Sequence, residues 1–130
     1  METINGCYKA RTVKVVDPTT VEARIELPFG ISAVRYIQLK GVPPAPTAIP
    51  DLNKAKHCAI VIFGGKPFFI KFDGDGRGKV VGDVFIKGKV SDKSKSVDIG
   101  GIEHVNVKDI YEEVASRGYD VDFLKKLLNA

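Results

Sequence analysis

A chain of 130 residues is the size of one domain, long enough to bury a core without metal or disulfide staples. Its 44% apolar and 28% charged content excludes disordered and fibrous classes, and the longest apolar runs, such as 58–63, are too short for a membrane-spanning helix. The opening residues, Met1 to Cys7, have neither the charge nor the apolar stretch of a secretory leader, so a reducing, cytoplasmic setting without a membrane is expected.

The first half reads as strands. Val13 to Val16 is a short β-rich run closed by Asp17-Pro18, a turn-forming pair. Val21, Ala23, Ile25 and Leu27 then alternate with Glu22, Arg24 and Glu26, the period of a strand with one dry face. Pro28 and Gly30 break it, and the β-branched and aromatic run Ile31 to Lys40 is expected to pair back as a hairpin partner. Four prolines in 41–50 prevent that segment from continuing a ladder or a helix. Asp51 offers an N-cap for a helix over about 52–63, with Leu52, Ala55, Ala59, Ile62 and Phe63 on one face and Gly64-Gly65 ending it. Residues 58–63 also fit a strand, because Ile60, Val61 and Ile62 are poor helix formers.

Phe68 to Phe72 and Val80 to Ile86 follow as strands around the glycine-rich turn 73–78. Residues 87–101 are polar and read as a loop or irregular hairpin. Asn106 caps an amphipathic helix that turns Val107, Ile110, Tyr111, Val114 and Ala115 inward and stops at Gly118. A last short helix from about Asp120 buries Phe123, Leu124, Leu127 and Leu128. Five strands with a helix after the third, plus terminal helices, is the plan of a β-rich α+β protein: one OB-type five-stranded barrel with about three helices, spanning 1–130.

Cys7 and Cys58 lack a CxxC spacing, and His57 and His104 have no ligand partner at helical or hairpin spacing, so neither a zinc site nor another cofactor is expected. Charge is uneven. Residues 66–95 hold eight basic against four acidic residues, the whole of the chain's +4. Lys66, Lys71, Arg77, Lys79, Lys87 and Lys89 are therefore candidates for binding nucleic acid, although lysines also decorate sheet edges to discourage aggregation.

Several stretches resemble the staphylococcal nuclease-like, or thermonuclease, domains. Lys14-Val-Val-Asp-Pro-Thr-Thr-Val21 is similar to the family's K-V-x-D-G-D-T-V, and Ile37-Gln-Leu-Lys-Gly-Val-Pro-Pro-Ala-Pro46 to V-R-L-x-G-I-D-x-P-E. Ala59 to Asp73 resembles the helix end, G-K and strand that follow. Asp75 to Phe85 resembles D-x-x-G-R-V-x-x-x-V, and Val105-Asn106 to Gly118-Tyr119 resembles the family's ending. The likeness covers about residues 11–120 and implies the nuclease-type barrel.

What the resemblance implies for activity depends on the departures. A nuclease of this type holds calcium through two carboxylates, activates water with a glutamate and neutralises the phosphorane with two arginines. Those positions fall here on Thr19 and Pro43, on Pro46, and on Gln38 and Lys79. Proline has no side-chain oxygen, glutamine cannot neutralise charge, and lysine lacks the guanidinium fork. A shift of register could bring in Arg35 or Arg77, but 41–50 contains no acidic residue at all.

Asp73, Asp75 and Asp83 do not make a calcium loop of the EF-hand type, since the twelfth position of a loop begun at Asp73 is Val84. The expectation is a non-catalytic module that docks on protein partners within a larger assembly. Binding of DNA or RNA through the basic stretch is the alternative, and metal-dependent hydrolysis at a relocated site a third. Phe29 and Ile31 at a hairpin tip, with Tyr36 and Phe69 on the faces away from the core, are the candidate partner contacts.

Overall fold

The structure, a computed structural model, describes residues 1–76 and 79–128, with 74–76 and 79 described as backbone alone. In chain order the strands are β1 (Glu2–Thr3), β2 (Tyr8–Asp17), β3 (Thr20–Glu26), β4 (Ser32–Leu39), β5 (Phe68–Gly76), β6 (Lys79–Lys87), β7 (Val97–Ile99) and β8 (Ile102–Asn106). Helix α1 (Asp51–Phe63) lies between β4 and β5, and α2 (Val107–Ser116) and α3 (Val121–Leu128) end the chain.

The alternation in β3 is realised in full. Val21, Ala23 and Ile25 are buried while Arg24 and Glu26 face water. β3 pairs antiparallel with β2 on one side and with β4 on the other, and β2 also pairs with β5. Ala10 serves both ladders of β2, opposite Ile25 and opposite Phe68. Two register shifts, between Thr12 and Lys14 and between Val15 and Asp17, bend β2 so that it can do this. β5 pairs with β6, and β6 lies parallel to β4 through Val80–Gly82, which closes a five-stranded mixed barrel of OB type. The opposite end of β6 accepts β8, and β7 and β1 extend that flap.

The closure needs one close approach. A Cβ on Gly82 would lie 2.7 Å from the Lys71 carbonyl oxygen and 3.0 Å from the Ile70 side chain. This glycine lets β6 cross β5 where their register shifts between Phe72 and Asp75.

Inside the barrel, Val21, Ile37, Phe68, Ile70 and Val84 are sealed, and α1 packs its buried face of Ala55, Cys58, Ala59, Ile62 and Phe63 against them. Phe63 meets Phe68 edge to face at 5.5 Å. Residues 58–63 are thus helical, because burial of that face outweighs the weak propensity of the β-branched run, whose Ile60 stays exposed. The expected cap differs: Pro50 stands at the N-cap, and Asp51 is the first helical residue, where its charge complements the helix dipole. Asn106 and Asp120 do cap their helices, Asn106 accepting from Lys108 N at 3.0 Å and Asp120 from Asp122 N at 2.9 Å.

Of the two readings of 87–101, the hairpin is found at its end: β7 and β8 turn over Gly100 and Gly101, both at positive φ, and β8 runs directly into α2. One expectation from pattern fails. Phe72, which alternation places in the core, sits 36% exposed at the barrel's open end with its ring 5.2 Å from that of Tyr8. Among the described residues no helix is long and apolar enough to cross a membrane.

Candidate functional site

Of the residues that the resemblance sets at nuclease-type positions, Thr19 is engaged in holding the fold. Asp17 Oδ1 accepts from both the backbone N and the hydroxyl of Thr19, each at 2.8 Å, so the first aspartate of the motif and the Thr19 side chain close the β2–β3 turn on each other. The Thr19 carbonyl accepts from Leu39 N at 2.9 Å. Gln38 is exposed and in register with Thr20 and Val81. Pro43 and Pro46 stand half-buried in the extended segment between β4 and α1. The side chain of Lys79 lies outside the described residues.

Two nearby carboxylates have partners, one a charge and the other a neutral amide. Lys40 Nζ lies 2.5 Å from Asp73 Oδ2, whose hydrogen bond and charge hold the Lys40 amine above its usual range. Asp83 Oδ1 accepts from Asn106 Nδ2 at 3.0 Å. Two prolines and a hydroxyl that donates to Asp17 do not fit a calcium ion, which needs several hard oxygen ligands. Among the described residues no group of three or more His, Cys, Asp or Glu is placed to hold a metal.

A different surface stands out at the β3–β4 hairpin. Its tip, Pro28–Gly30, is one tight turn in which Phe29 adopts a left-handed backbone, φ 65° and ψ 26°. Such a conformation costs a residue with a Cβ roughly 1–2 kcal/mol. The turn leaves Phe29 98% exposed, and Ile31 at 58%, Tyr36 at 47% and Val34 at 36% are exposed further along the arm, Val34 and Tyr36 on one face of β4. Three of the four expected partner contacts are therefore exposed on the same hairpin. Phe69 is not among them: it is half-buried, because β8 carries His104 against its ring, edge to face at 5.4 Å. Val34 was missed by sequence reasoning, although its spacing of two from Tyr36 was the available signal.

The arm also has a free edge. β4 pairs with β3 over its whole length but with β6 only from Ile37 onward, so Ser32–Tyr36 are laddered on one side alone. Arg35 partly covers that edge by donating to the Val34 carbonyl at 2.8 Å.

The basic candidates divide. Lys66, Lys87 and Lys89 converge on one cleft of about 450 Å³, floored by Ile62, Pro67, Ile86 and Leu128. Lys71 is exposed on β5, in register with Asp83, and does not line it. Arg77 lies outside the described residues. Among the described residues no aromatic side chain lines the cleft, and sequence reasoning had no means of finding its aliphatic floor, which comes from three separate elements and the loop residue Pro67.

Both cysteines are free thiols. Burial pushes the Cys58 thiol up to about 11, and it also raises Cys7 and the Tyr111 phenol. These groups are suited to packing; a nucleophile would require the opposite shift. No family model matches the chain, and no curated protein is found to match it.

Proposed function

We propose that this chain is a non-catalytic binding module of the staphylococcal nuclease-like plan that docks on a protein partner through its β3–β4 hairpin. The observation that carries the reading is Phe29: a large aromatic ring held almost wholly in water, on a strained backbone, at the tip of a hairpin that carries three further exposed apolar residues. Burying such a ring in a partner's pocket is worth about 1.5–3 kcal/mol, and an aromatic at the centre of a patch is the usual anchor of a protein interface. The residues at the nuclease-type positions support the same reading, because Thr19, Pro43 and Pro46 supply neither a base nor calcium ligands.

The test replaces Phe29 with a photo-crosslinking phenylalanine analogue and irradiates the protein in an extract of its source cells. A discrete adduct formed at position 29, and not when the analogue is placed at exposed Lys56, is the expected result. Equal labelling from the two positions, or none from Phe29, rejects hairpin docking.

Nucleic-acid binding is a second reading, favoured by the convergence of Lys66, Lys87 and Lys89. It requires an affinity that falls steeply with salt, by about one counterion per phosphate contact, which a gel shift across salt concentrations measures.

A further inference from the structure

The lysine-lined cleft does not end at Lys89. A second depression of about 550 Å³ begins at the same Lys89 and Glu103 and continues past Lys93 and Ser96 to Met1 and Glu2. The two share a wall and form one trough. Along it stand Lys66, Lys87, Lys89 and Lys93 against Glu103 and Glu2, an excess of positive charge. Among the described residues Lys66, Lys87 and Lys93 have no carboxylate within ion-pairing distance, and Lys89 reaches Glu103 only at 4.0 Å. The Ser96 hydroxyl, on a residue 5% exposed, has no hydrogen-bond partner.

We propose that this trough is a docking site for an extended acidic peptide of a protein partner, with an aliphatic residue seated on the floor formed by Ile62, Pro67, Ile86 and Leu128. Three features select that occupant. Two depressions that adjoin at Lys89 and Glu103 favour a chain over a compact small molecule. The uncompensated lysines favour carboxylates spaced along that chain. The floor is aliphatic and offers no ring on which a base could stack, which favours a peptide over single-stranded nucleic acid. In the complex the peptide's carboxylates compete with Glu103 for Lys89. The trough does not include Phe29 or its neighbours, so this contact is separate from hairpin docking.

The experiment titrates the full, ¹⁵N-labelled chain with a synthetic peptide of about eight residues, acidic except for a central Leu-Ile pair, long enough to span about 26 Å when extended. Amide shifts centred on Ile62, Gly88, Glu103 and Leu128 are expected. Lys87→Glu and Lys89→Glu are each expected to weaken binding about tenfold, equivalent to about 1.4 kcal/mol. Glu103→Gln is expected to strengthen it roughly threefold by removing a competing carboxylate. Phe29→Ser leaves the affinity unchanged. The proposal is overturned if shifts cluster elsewhere, or if a basic peptide with the same Leu-Ile pair binds as well. It is also overturned if oligo-dT binds more tightly than the peptide through the same lysines. Should either charge reversal unfold the protein, Glu103→Gln still decides: unchanged or weaker binding refutes the site.

Discussion

Replacing Phe29 separates an anchor held for a partner from a residue the fold needs. At 98% exposure the ring has almost no contact to lose, while its left-handed backbone costs roughly 1–2 kcal/mol. Asparagine tolerates that conformation better than any other residue with a Cβ except aspartate, and it does not add the unfolded-state entropy of glycine. Phe29→Asn is therefore expected to stabilise the isolated chain by about 0.5–1 kcal/mol, a rise in Tm of about 2–4 °C for a domain of this size. Phe29→Gly relieves the same strain but loses about 0.5–1 kcal/mol to chain entropy, so it falls between Phe29→Asn and the parent. Urea unfolding followed by circular dichroism measures both, with an unchanged m-value marking a change in stability alone. With the photo-crosslinking analogue placed at Ile31 instead, the same substitutions are expected to abolish the adduct, so that stability and binding move in opposite directions. A loss of more than about 1 kcal/mol in Phe29→Asn refutes the reasoning, because Phe29 would then be supporting the fold.

Other outcomes follow from particular contacts. Asn106 caps α2 and donates to Asp83, so Asn106→Ala loses both and is expected to cost about 3 kcal/mol in urea unfolding. Asn106→Asp keeps the cap but sets a second carboxylate against Asp83, and the folded pair holds a proton more tightly than the unfolded chain does. Its stability relative to the parent is therefore greatest below about pH 4 and falls as pH rises, which melting curves from about pH 3 to 7 would show. Gly82→Ala drives a methyl into the Lys71 carbonyl and is expected to cost about 1–3 kcal/mol; a cost under about 0.5 kcal/mol would contradict the close crossing of β5 and β6. Cys58, buried and raised to about 11, should resist thiol reagents in the native protein while the half-buried Cys7 reacts first. Because the folded Cys58 thiol ionises later than the unfolded one, its contribution to stability is complete below about pH 9 and is lost as pH climbs to about 11; Cys58→Ala is expected to flatten that alkaline limb.

Much of the candidate site was readable as residue type but not as place. Phe29, flanked by Pro28 and Gly30 at a strand break, announces an exposed tip, because a turn that tight has no interior in which to hide a ring. Tyr36 and Phe69 look equivalent in the sequence, each lying off the core face of its strand. They separate only because β8, a five-residue strand too short to register by alternation, joins β6 and brings His104 over Phe69. The basic stretch shows the same limit. Six charges within 66–89 read as one patch along the chain, whereas Lys66, Lys87 and Lys89 meet in the cleft and Lys71 stands apart from it.

What the sequence by itself determined is local and chemical. Alternation specified the dry face of β3, helical spacing specified the buried faces of α2 and α3, and four prolines without an acid between them left 41–50 with no carboxylate. Only the tertiary structure decided which surfaces those residues share. Barrel closure depends on Ala10 serving two ladders, on bulges that bend β2 and on the bare Cα of Gly82. Those are contacts between residues far apart in the chain, whose geometry no local period encodes, and they alone set where the lysine-lined trough opens.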